Sequence, residues 1–118
     1  MDEPVLTRII LPLNGDVTVT LAITDPTKPL VAGQPAPFDL TGKSVTFWRK
    51  STRFVPDTDP SAKSYTASLA TDPRTGVCYV QIPAADNTVP GVTWWRADVL
   101  SGPSKMPMTY GPLEVFAV

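Results

Sequence analysis

The chain has 118 residues, with 10 Lys and Arg against 11 Asp and Glu, no histidine, one cysteine and 14 prolines. A near-neutral balance without a basic run excludes a surface that tracks a phosphate backbone, so no nucleic-acid partner is expected. The lone cysteine excludes an intrachain disulfide framework, and the missing histidine removes the commonest general base and metal ligand.

A chain of this length fits one domain, residues 1–118, that buries roughly two thirds of its unfolded surface and needs neither metal nor disulfide to fold. The opening MDEPVLTRIILPL carries two acids before a short apolar run and lacks a basic leading region, so no signal peptide is expected. No apolar stretch approaches the roughly eighteen residues that cross a bilayer, and no membrane insertion is expected. Twelve of the prolines, Pro26 through Pro112, fall almost entirely between apolar alternations, where a missing N–H breaks no ladder.

Taken in chain order, Thr7 to Leu13 is apolar but carries Pro12, as an edge strand or a sheet-switching strand does. Asn14-Gly15 marks a tight turn. Asp16 to Thr24 (DVTVTLAIT) is the clearest strand, with Val17, Val19, Leu21 and Ile23 on one face and Thr18, Thr20 and Ala22 on the other. Asp25 to Pro37 is a connection with a short extended piece at Leu30 and Val31. Lys43 to Lys50 is the next strand, Val45 and Phe47 pointing one way and Trp48 the other.

The Pro-, Asp- and Ser-rich stretch from Ser51 to Lys63 reads as the most mobile loop. Ser64 to Ala70 aligns Tyr65, Ala67 and Leu69, and closes through the Asp72–Gly76 turn into a hairpin with Val77 to Ile82. Cys78, Val80 and Ile82 share one face of that strand, where the cysteine reads as a small core residue with a reactive thiol as the alternative. Pro83 to Asp86 makes at most one helical turn. Val92 to Leu100, a Gly102-Pro103 corner, a piece at Met106 to Tyr110 and the closing LEVFAV complete seven to eight strands. Regular turn signals without an amphipathic helix predict an all-β, immunoglobulin-like antiparallel β-sandwich without paired cysteines and with no substantial helix.

The acids sit mostly in turns and termini, where Asp caps backbone N–H groups, so no enzyme and no cofactor are expected. Asp57-Thr58-Asp59 could ligate calcium, but the pair lacks a following glycine and a distal Glu, so a solvated loop is the better reading. Alternation assigns Trp95 to the core and Trp94, Arg96 and Asp98 to the outer face, with Trp94 covered by a loop or by a partner. Met106, Met108 and Tyr110 offer an adaptable apolar stretch, or a plug for the end of a sandwich. LEVFAV is apolar on both faces, which suits central burial or an edge completed by another subunit. The candidate interface is therefore Trp94, Arg96, Met106, Met108, Tyr110, Phe116 and Val118.

The order GDVTVTLAITD (15–25), DLTGKSVTFW (39–48), GVCYVQIPAADNTVPGVTWWRADVL (76–100) and GPLEVFAV (111–118) resembles a family of tailed-phage virion domains. These are the immunoglobulin-like sandwiches at the N-terminal ends of baseplate upper proteins and in small tail-fibre-associated or minor tail proteins. The resemblance implies a non-enzymatic virion protein, made in the host cytoplasm. It would join a fibre or accessory protein to a tail ring or the capsid surface, with copies of itself around a symmetric assembly. A capsid decoration protein is the alternative, and a carbohydrate-binding module stacking sugars on Trp94 or Trp48 is the second.

Overall fold

A computed structural model describes residues 5–6, 9–25, 27–52 and 55–116. Thr7, at the start of the first expected strand, Pro26 in the connection, and Ala117 and Val118 of the closing strand lie outside the described residues. Among the described residues the chain is all-β, with nine strands: β1 (Val5–Leu6), β2 (Ile9–Pro12), β3 (Val17–Ala22), β4 (Ser44–Lys50), β5 (Lys63–Thr66), β6 (Ser68–Leu69), β7 (Val77–Ile82), β8 (Gly91–Ser101) and β9 (Ser104–Phe116). The helical content is two single turns, Pro73–Thr75 and Ala84–Asp86, the second where the sequence places one.

The strands form two sheets. The larger runs β1-β9-β8-β4-β5, with β2 also pairing β9, and the smaller runs β3-β7-β6. Alternation explains what lies between them. Val45, Phe47, Trp95, Ala97, Val99, Leu113 and Val115 turn inward from the larger sheet to meet Val19, Leu21, Cys78, Val80 and Ile82 from the smaller. Phe47 stacks on Trp95 with ring centres 5.3 Å apart, and the Tyr65 ring meets Phe47 edge-on at 5.9 Å. Cys78 belongs to this core, and burial pushes its thiol up to about 11.

Four features depart from the sequence reading. Ser64 to Ala70 is not one strand hairpinned to β7: β5 pairs with β4, only Ser68 and Leu69 pair with β7, and the chain changes sheets at the buried Ala67. Tyr65, Ala67 and Leu69 still face the core, so the two-residue period survives while the pairing partner changes. Residues 104–116 form one strand instead of two, closing an eleven-pair hairpin with β8.

The pairing is also not purely antiparallel, because β1 and β2 both run parallel to β9. Finally, Pro107 and Pro112 lie inside a strand, whereas Pro12 stands in an edge strand as expected. Pro12 ends the edge strand β2, Pro107 adjoins a register shift, and Pro112 falls in the gap between residues 109–110, paired by β1, and 113–116, paired by β2. A proline is tolerated where no neighbour claims its N–H.

Gly76 shows how tightly the corner near β7 is built. Its φ of 72° is left-handed, and a Cβ there would stand 2.3 Å from the Ile23 carbonyl oxygen. Glycine alone meets both conditions.

Candidate functional site

The outward residues of the larger sheet follow from its register. Trp48 lies opposite Arg96, Lys50 opposite Trp94, and Val92 opposite Glu114, which also faces Ile10, while Pro12 lies opposite Phe116. Four of the expected interface residues, Trp94, Arg96, Tyr110 and Phe116, therefore share one face. Met106 and Met108 do not. The register shift between Ala97 and Asp98 leaves Met108 as an extra residue, and both methionines pack against the core. Val118 lies outside the described residues. Along residues 113–115 the closing strand is held by β8 on one side and β2 on the other, so it offers no open edge there.

Towards β4 this face is a charge lattice. Asp98 is wholly buried, and Arg96 grips it bidentately, Nε donating to Oδ1 at 2.7 Å and Nη2 to Oδ2 at 2.8 Å. Alternation placed Asp98 on the outer face correctly, and it is buried there under Arg96 and Lys105, which Asp57 in turn holds. Asp57 is the clasp. Its Oδ2 accepts from Arg96 Nη2 at 2.9 Å and Lys105 Nζ at 2.8 Å, and its Oδ1 accepts from Lys50, whose Nζ also donates to the Val55 carbonyl at 2.9 Å. Burial alone would raise the Asp57 pKa, but hydrogen bonds from Arg96, Lys105 and Lys50 outweigh it and hold the carboxyl well below its usual range. Burial likewise works against the Arg96 charge, and its two carboxylate partners more than offset that.

The same lattice occupies Trp48, with Lys50 Nζ 5.9 Å and Arg96 Cζ 6.0 Å from the ring centre. It also separates the two loop acids: Asp59 Oδ1 accepts from the Ser61 N–H at 2.8 Å and hydroxyl at 2.6 Å, while Asp57 turns to its three cations. Among the described residues no three His, Cys, Asp or Glu side chains group for a metal ion.

Towards β2 the face is open, with Ile10 51%, Val92 57% and Phe116 43% exposed around the half-buried Glu114, and Val89 at the adjoining corner 74% exposed. That corner overhangs a cleft of about 460 Å³ whose walls include Arg49, Lys63, Tyr65, Asp86 and Val92. The polar groups here hold one another. Arg49 Nη1 donates to the Asp86 carbonyl and to Asn87 Oδ1, both at 2.8 Å, and Asn87 Nδ2 donates to the Gly15 carbonyl at 2.9 Å. Tyr65 Oη donates to Asp86 Oδ2 at 2.9 Å, and its pKa is pushed up to about 12 by burial and then by Asp86. These bonds fix Asp86 and Asn87, at the start of the corner that leads to the exposed valines.

Sequence reasoning did not reach Asp57 as a partner of Arg96, nor Lys50 as a second cation on the same carboxylate. The available signal was the Arg96-x-Asp98 spacing, which puts opposite charges on one strand face, next to a lysine on a neighbouring strand. A comparison with protein-family models and one with curated proteins found no match to this chain.

Proposed function

We propose that this protein is a non-enzymatic structural module of a tailed-phage virion, an immunoglobulin-like sandwich that joins a fibre or accessory protein to a tail ring through protein–protein contacts. The observation that carries the docking role is the set of exposed apolar side chains Ile10, Val92 and Phe116 around Glu114, with Val89 beside them, on a face whose other half is locked by ion pairs. Large exposed apolar side chains gathered on a rigid sheet mark a protein contact. The virion assignment rests on the order of the four sequence segments that resemble phage tail domains. A sugar-stacking role is the weaker reading, because two cations already lie over Trp48.

The test is electron microscopy of virions carrying a tagged copy. Label at the tail end is the expected result. Label spread over the head would replace the adaptor reading with capsid decoration, and particles without label would remove both.

A further inference from the structure

The sheets end in four edges, and three are blunted. β5 is four residues long and begins at the exposed Lys63, β6 is two residues long, and the β1/β2 edge is split in two and ends at Pro12. Short, charged, broken or proline-bearing edges resist pairing with another chain. β3 has none of these devices: VTVTLA is six residues with no charge and no proline. Among the described residues no strand pairs with it on the side away from β7.

The direction of its backbone groups follows from its one ladder. Ile23 N–H donates to the Gly76 carbonyl at 2.9 Å in line with the β3–β7 register, so Ile23, Leu21, Val19 and Val17 direct their N–H and C=O groups towards β7. Thr18, Thr20 and Ala22 then direct theirs to the open edge, and all three are exposed.

We propose that this edge pairs with β3 of a second copy, antiparallel about a two-fold axis at Thr20. In that register Thr20 meets Thr20 and Thr18 meets Ala22, and every edge-directed group finds a partner in about six new hydrogen bonds. Val19 comes opposite Leu21 on the inward side, so the two cores lie on one side of a continuous six-stranded sheet. A one-residue slip would set the inward valines against the partner's threonines, which is why the register is specified. The second copy is the fitting occupant because the edge carries no charge to select a different chain and is self-complementary under two-fold symmetry. It also extends a sheet that, at three strands, is at the minimum for independent stability. The pairing stands apart from the virion reading and needs only the strand edge.

The experiment is sedimentation equilibrium of the full chain together with cross-linking. Wild type is expected to be a dimer, and Thr20→Lys, which sets two ammonium groups together at the axis, to weaken dimerisation at least about tenfold with unchanged circular dichroism. Thr20→Cys is expected to give a covalent dimer on oxidation, because the Cα separation of a hydrogen-bonded antiparallel pair, about 5.5 Å, suits a disulfide. Ser104→Cys, exposed at the start of β9 in the other sheet, serves as the collision control and stays monomeric on a non-reducing gel. A wild-type monomer, or a dimer that Thr20→Lys leaves intact, overturns the proposal.

Discussion

Beside β4, the outer face of the larger sheet buries charge, with Asp98 fully inside and Lys50 nearly so, whereas beside β2 the same face leaves Ile10, Val92 and Phe116 in water. Polarity alone would arrange the two halves the other way round. The difference lies in what covers each half. Residues 55–57 lie over the first, and Asp57 satisfies the cations they enclose, while no described loop lies over the second. Charge can be buried where each group has a partner, and an exposed apolar cluster is the feature on which the proposed docking role rests.

The largest break in this comparison comes from Asp98→Ala, which leaves the Arg96 guanidinium facing an emptied buried site. It should cost about 2 kcal/mol in urea unfolding, because the bidentate bonds to a buried carboxylate are lost while the partly exposed Arg96 keeps Asp57. Replacing both partners, Arg96→Met with Asp98→Leu, should recover most of that loss, because the desolvation cost goes with the charges. A single variant as stable as wild type would show that the buried half contributes no cohesion.

Asp57→Asn should have a smaller effect, about 1 kcal/mol at pH 7, since the carboxylate is partly exposed and its cations stay near water. Its pH dependence is the sharper readout. The folded pKa lies below the unfolded value, so the unfolded chain binds more protons in acid and stability falls as pH falls. The Asp57 contribution is complete above the ordinary value of 3.8 and fades below it towards the lowered folded value. Wild type should lose more stability than Asp57→Asn between pH 5 and pH 2 in a urea titration, and parallel curves would refute the clasp.

Val92→Lys should have the smallest effect on the fold, within about 0.5 kcal/mol, because the side chain is exposed and stands opposite Glu114. Its effect on attachment to particles should nonetheless be complete if these exposed apolar side chains are the docking surface. Normal incorporation of Val92→Lys would detach function from this half of the face.

How far the sequence could be read follows the range of each signal. The strands at 17–22, 44–50 and 77–82 were legible because alternation is local, and so was the core placement of Trp95. The switch of sheets at Ala67 was not, because Tyr65, Ala67 and Leu69 keep the same period in either sheet. For residues 104–116, prolines that break a lone strand were read as breaks, yet Pro112 sits where two neighbours leave a gap. The candidate face was half legible: Trp94, Arg96, Tyr110 and Phe116 share it by parity, whereas Met106 and Met108 pack inward around an extra residue.

By itself the order of residues determined which side chains could share a face, where the chain must turn, and the absence of a histidine or a second cysteine. Those are properties of two-residue periodicity and of side-chain chemistry, and they need no neighbour. Tertiary structure alone decided that β9 lies between β8 and the parallel β1 and β2, that Asp57 reaches across 39 residues of chain to Arg96, and that among the described residues only β7 pairs with β3. Strand pairing and charge burial depend on which distant segments meet, and alternation is the same whichever segments those are.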